Sequence, residues 1–167
     1  VLKNDQPNIM RPFGLPDSAS TPVVTPLSAS VVYASRNPDM LDAHYTGELP
    51  GYTYAREGHP NADALAERID ALEDVSGGII TGSGMAAVTA GIMGVLQSGD
   101  HIIAGDQLYG RSLRLLQNDL KRFGIEVTFC NATDAENIQK ALRINTKMVL
   151  VEVVSNPTLR VADLSGL

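Results

Sequence analysis

The chain has 167 residues, with 13 lysines and arginines against 19 aspartates and glutamates, for a formal net charge of −6. That balance, with a pI near 4.9, supplies no basic field for nucleic acid or an anionic membrane, so the expected partners are small molecules and other proteins. The length suits one ordinary domain, the most apolar stretch (residues 85–96) is too short to span a bilayer, and the one cysteine, Cys130, cannot close an internal disulfide, which suits the reducing cytoplasm.

Residues 1–30 hold Pro7, Pro12, Pro16, Pro22 and Pro26 among small polar residues, a composition that predicts an extended arm. Within it, Thr25–Tyr33 is apolar enough to pack on another surface, for which a second subunit is the natural candidate. Further on, Tyr52, Tyr54 and Arg56 stand at alternate positions, so an extended backbone presents all three on one side. A guanidinium beside a phenol grips phosphate well; the alternative is a surface loop with an incidental arginine. A helix is expected from Pro60 with Asn61 as its cap, burying Ala62, Leu65, Ile69 and Leu72 and turning Asp63, Glu67, Arg68 and Asp70 to solvent.

The central stretch follows. Ile79-Ile80-Thr81 reads as a buried strand, Gly82-Ser83-Gly84 as a turn, and residues 85–93 as a buried helix. The first N–H groups of that helix have no partner inside it and carry the positive end of its dipole, so the turn suits an anion. Glycines 82 and 84 allow positive φ and close approach, and Ser83 can cap. Two other readings compete: a ligand-free strand-to-helix connection, and a dinucleotide site in which Gly82-x-Gly84-x-x-Ala87 binds pyrophosphate and Asp106 the ribose.

Beyond it, His101–Gly105 predicts a second strand whose end presents Asp106 and Tyr109, at the edge where open α/β sheets bind ligands. A helix with Leu113, Leu116, Leu120 and Phe123 on one face should end at Gly124. Residues 125–130 read as a third strand, and Thr133-Asp134-Ala135-Glu136 as a capping box before a helix burying Ile138, Ala141 and Leu142. Residues 147–152 read as a fourth strand, followed by a turn at Ser155-Asn156-Pro157 and a helix start at Val161–Leu164.

Four alternations of strand and helix predict an α/β fold with a mainly parallel sheet and helices on both faces. Residues 1–58 form the expected arm and clasping segment, and residues 59–167 the start of a larger domain. The last helix start breaks off inside an αβ unit, which predicts a longer protein.

Metal sites, a P-loop and a hydrolase elbow find no match: His44, His59, His101 and Cys130 lack ligand spacing, and the histidines read as surface or turn residues. What remains is a set of strand-end groups: the amides of Gly84 and Met85, the phenol of Tyr109, the amide of Asn156, and the Tyr54/Arg56 pair. Together they suit a flat phosphorylated molecule, with the turn and Arg56 on phosphate, Tyr109 stacked on a ring and Asn156 bonded to a ring substituent.

The runs GYTYAREGHPNADALAERIDALE, GSGMAA, GDQLYG and VEVVSNPTLRVADL resemble the Cys/Met-metabolism, or trans-sulfuration, family of pyridoxal-phosphate enzymes. The resemblance, from about Thr21 onward, implies an aminotransferase-like (fold type I) large domain whose cofactor phosphate meets the main chain of Gly84 and Met85. It implies that Tyr109 stacks on the pyridine and takes part in proton transfer, and that Asn156 contacts the ring hydroxyl. Tyr54 and Arg56 would reach a neighbouring subunit's cofactor in a homodimer paired into a homotetramer. It also implies elimination or replacement at the β or γ carbon of sulfur amino acids or O-acylated homoserine. The family's cofactor-bearing lysine motif finds no match at Lys3, Lys121, Lys140 or Lys147, which leaves a catalytically inactive binding or assembly module as the alternative.

Overall fold

A computed structural model describes residues 19, 20 and 22–167. Pro7, Pro12, Pro16 and Lys3 lie outside the described residues. The chain divides into two compact units, Val1–Ile80 and Thr81–Leu167, each taken here by itself.

In the first unit, helix α1 (Pro38–Tyr45) starts at Asn37, whose side chain accepts the Met40 N–H, with Pro38 at the position its fixed φ favours. Helix α2 (Pro60–Glu73) uses the same device, which moves its cap two residues upstream of the expected Asn61. With Pro60 inside the helix, the extended residue before it is His59, whose Nδ1 accepts the Asn61 N–H. Asn61 instead ties down the arm: its Oδ1 accepts the Ser28 N–H at 2.7 Å and its Nδ2 donates to the Pro26 carbonyl at 2.8 Å. The arm is therefore held by polar contacts, while Leu27, Val31 and Val32 stay exposed. The expected apolar stripe of α2 is not buried in this unit: only Ala66 is enclosed, and Leu65, Ile69 and Leu72 face outward.

The strand expected at residues 79–81, where the first unit ends and the second begins, does not form. Residues 79–81 are extended but unpaired, and Ile79 is 86% exposed, because no described strand lies alongside to take their backbone hydrogen bonds. Helix α3 (Gly84–Val95) follows, then strand β1 (His101–Gly105), the α4 segment (Gly110–Arg114), strand β2 (Glu126–Cys130), helix α5 (Ala135–Ala141) and strand β3 (Thr146–Leu150). The strands form a parallel sheet in the order β2-β1-β3.

Crossing from β1 to β2 and from β2 to β3 moves across the sheet in opposite directions. Right-handed crossovers then set α4 and α5 on opposite faces. Ile102 and Ala104 of β1 point to the α4 side and form a core with Ile92 and Leu96 of α3, Leu108, Leu116, Leu120 and Ile125. Val127, Phe129, Met148 and Leu150 pack against that core from the flanking strands. Removing a fully enclosed side chain such as Leu116 by an alanine change should cost about 2–5 kcal/mol.

Helix α3 gives only Ile92 to full burial, with Met93 and Val95 exposed, so it packs by one face rather than all round. The α4 segment is not one regular helix either: it widens to a π turn over Leu115–Asp119 and tightens to a 3₁₀ turn over Leu120–Phe123. That change of pitch keeps Leu116 and Leu120 inward but turns Phe123 out, before Gly124 stops the segment at φ 74°. The α5 cap is Asp134, not Thr133, since the Thr133 hydroxyl donates to Asn131 while Asp134 accepts the Glu136 N–H. Ile138 is buried and Leu142 lies outside. Val161 does not begin a helix; it bridges back to Val154 around a turn closed by Ser155 N–H to the Arg160 carbonyl, 2.9 Å.

His101 is a second correction. It is fully buried on the α5 side of β1, with Nδ1 2.8 Å from the Thr146 hydroxyl and Nε2 2.8 Å from that of Thr128. Arg143 donates to both hydroxyl oxygens, through its N–H to Thr146 and its Nη2 to Thr128, and pairs with Glu126 at 2.6 Å. Burial first, then the Arg143 charge, hold the imidazole pKa below its ordinary 6.5, against an opposing pull from Glu126. The folded chain therefore binds fewer protons than the unfolded one just below pH 6.5, so stability is fully present above that value and falls as acid is added. Thermal unfolding followed between about pH 5 and pH 7 should show Tm dropping on the acid side, with a shallower slope in His101→Gln.

Candidate functional site

The carboxyl ends of β1 and β3 and the start of α3 each bring one of the residues singled out from the sequence. At the start of α3, Ser83 is extended and its Oγ accepts the Ala86 N–H at 3.2 Å, while the Ser83 carbonyl takes the Ala87 N–H at 3.0 Å. The N–H groups of Gly84 and Met85 are left without a partner among the described residues, and Gly84 is exposed. Neither Gly82 nor Gly84 adopts the positive φ expected of it; a Cβ added at either would meet nothing within 4 Å. What glycine supplies here is open space before two free amides at the positive end of a helix.

Tyr109 stands before α4 with its ring about half exposed. No side chain of its own segment caps α4. Instead Glu152, two residues past β3, accepts the Tyr109 N–H at 2.6 Å. Ser112, in the first turn after Tyr109, directs its hydroxyl at the Met85 sulfur, 3.8 Å away. The α3 start, the β1 end and the β3 end are thereby joined through Met85–Ser112 and Tyr109–Glu152.

Asn156 lies on the exposed turn after β3, and its peptide bond to Pro157 is cis. The turn is pinned on both sides. Ser155, buried, accepts the Arg160 N–H and shares a hydrogen bond with Thr158, whose hydroxyl donates to Gln107 at 2.8 Å. Arg160 reaches Asp106 at 3.5 Å and donates to Asn131, closing a crevice lined by Gly105, Asp106, Leu108, Ala132, Glu152 and Ser155. Asp106, the acid a dinucleotide ribose would need, is thus engaged by Arg160. Burial first, then the Asp106 charge, push the pKa of the nearby Cys130 thiol up, which disfavours its thiolate.

Tyr54 and Arg56 belong to the first unit. Tyr54 bridges Val32, and the backbone then turns at residues 55–57, so the one-sided row with Tyr52 does not form. Tyr52 points to Asp63, donating at 2.7 Å, a bond that lifts its phenol pKa to about 12. The Arg56 guanidinium sits 4.4 Å from the centre of the Tyr54 ring and contacts Glu57 at 4.0 Å, leaving its side chain 72% exposed. The pair is a stacked, solvent-facing cation and phenol.

Glu152, Ser112, Gln107 and Arg160 were not expected from the sequence. Each acts on a residue distant in sequence, 43 positions away for Glu152, and no local spacing signals that.

The family model described as Cys/Met metabolism PLP-dependent enzyme matches residues 13–167. The chain belongs to this family. Among curated relatives it is 35% identical to an L-methionine gamma-lyase of Treponema denticola over 144 residues, covering 86% of this chain and 36% of that protein. It is 40% identical to a cystathionine gamma-lyase of Bacillus subtilis over 119 residues, covering 71% and 31%. Among solved structures, the metB product of Corynebacterium glutamicum superposes with a TM-score of 0.79 at 33% identity, covering 90% of this chain and 37% of that one. A Campylobacter jejuni protein described as an O-acetylhomoserine (thiol)-lyase, holding a pyridoxyl-lysine monophosphate, gives 0.76 at 31% identity, covering 83% and 34%. The chain spans about a third of the length of the curated relatives it matches. The Cys/Met-metabolism fold is the type I architecture of these neighbours, with the parallel sheet and flanking helices described above.

Replacing Ser83 removes the acceptor that satisfies Ala86 and adds a third orphan amide to the start of α3. Ser83→Ala should lower stability by about 1 kcal/mol, read as a shift in denaturant midpoint with unchanged slope.

Proposed function

We propose that this chain forms part of a pyridoxal-phosphate site in an enzyme that eliminates or replaces β or γ substituents of sulfur amino acids or O-acylated homoserine. The observation that carries the reading is the pair of unpartnered Gly84 and Met85 amides, joined through the Met85–Ser112 contact to the segment that presents Tyr109. Two free N–H groups at a helix start suit a phosphate, and the exposed phenol of Tyr109 suits the face of an aromatic ring. When bound, pyridoxal phosphate supplies the electron sink that stabilises negative charge at the substrate α-carbon. Asn156 then orients the ring by hydrogen bonding its hydroxyl, and Tyr109 holds and moves a proton at its phenol oxygen.

Tyr54 and Arg56 complete the phosphate grip from a neighbouring copy, in a homodimer that pairs into a homotetramer. Their solvent-facing stack supports that role, because the guanidinium keeps donors free for an anion. Residues 1–58 serve as the clasping arm, and the unpaired Cys130 fits a cytoplasmic setting.

The intact protein, titrated with pyridoxal phosphate, should gain a visible absorption band that borohydride bleaches; absence of binding would overturn the reading. Arg56→Ala should weaken cofactor binding about 10- to 100-fold. Tyr109→Phe should slow turnover by about 10²–10⁴-fold while binding is largely kept. Product analysis for free thiol and keto acid against a replaced side chain separates lyase from transferase.

A further inference from the structure

The backbone of Tyr109 is fixed at both of its polar groups. Its carbonyl accepts the Leu113 N–H at 3.0 Å, and its N–H donates to Glu152 Oε1 at 2.6 Å. The first bond is an ordinary helical one; the second comes from a carboxylate at the far end of β3. Tyr109 makes no aromatic contact among the described residues and its ring is 48% exposed, so side-chain packing does not fix the phenol. Nor does a local cap fix the α4 start, since Tyr109 has no side-chain cap bond. Glu152 instead takes the N–H of Tyr109, the residue that precedes the segment, and a carboxylate there also meets the positive end of α4. A short N–H to carboxylate bond is a charge-assisted one, stronger than a bond between neutral groups.

We infer that Glu152 is a positioning residue: its carboxylate anchors the main chain of Tyr109, and with it the phenol that would meet the ring, to the segment that leads into the Asn156 turn. This rests on the pyridoxal-phosphate reading above. The carboxylate acts through Tyr109, so its removal costs nothing further once the phenol is gone.

A double-mutant cycle on the intact protein tests it, with the dissociation constant for pyridoxal phosphate and the visible circular dichroism of the bound cofactor as readouts. Glu152→Ala should weaken binding about tenfold and reduce the dichroic band. Glu152→Gln, which keeps a carbonyl oxygen for the Tyr109 N–H, should stay within about threefold of the parent. Glu152→Asp keeps the charge but falls one methylene short, and should resemble the alanine variant; it serves if the alanine protein does not fold. In the Tyr109→Ala background, Glu152→Ala should cause no further loss. An equal loss in both backgrounds, or an Asp variant as tight as the parent, overturns the inference while leaving the cofactor reading intact. Failure of the parent to bind pyridoxal phosphate removes that reading, and this inference with it.

Discussion

The structure of the second unit hangs on one constraint: strand β1 has no side turned to water. Every residue from His101 to Gly105 is buried, so both faces and both edges need partners. The edges are taken by β2 and β3 in parallel, and parallel neighbours require crossovers, which bring α4 to one face and α5 to the other. A strand so enclosed gathers all the loops that leave its carboxyl end into a small area. The segment carrying Tyr109 and the turn carrying Asn156 meet there because the sheet leaves them nowhere else to go.

The polar groups divide between the two ends of that sheet according to what each end does. At the amino ends, His101, Thr128, Thr146, Arg143 and Glu126 satisfy one another and form a closed structural network. At the carboxyl ends, the bonds run between loops, and the groups left over are donors on exposed surface: two amides of α3, a phenol and a carboxamide. Buried polarity holds the molecule together at one end, and unspent polarity is displayed at the other.

Much of this was legible in the sequence where a signal is local. The apolar run 101–105, bounded by Gly99-Asp100 and Asp106, gave β1 at its observed limits, and Ser83 capped as its position before a helical run implies. Local signals failed where a partner decides the outcome. Residues 79–81 have a strand composition but no strand beside them, and Leu65, Ile69 and Leu72 have helical spacing without a surface to cover them in their unit. His101, at the start of the expected strand, looked like a surface residue because nothing nearby in sequence announces Thr128 and Thr146, which the parallel sheet brings to it. The family motifs, by contrast, were readable as a set, since their order and spacing survive even where single elements are misjudged.

The β1–β3 pairing shifts between His101 and Ile102, where β3 carries an extra residue, so Thr146 opposes His101 but Met148 opposes Ile102. That surplus unit resets the odd–even phase of the strand: Thr146 opposes His101 on the α5 side, whereas Met148 and Leu150 pack against the core on the α4 side. Two residues past the end of that strand, Glu152 meets the main chain of Tyr109. A single additional amino acid, at the far end of the sheet from the ligand edge, thus turns Met148 and Leu150 into the packing that lies beneath that edge.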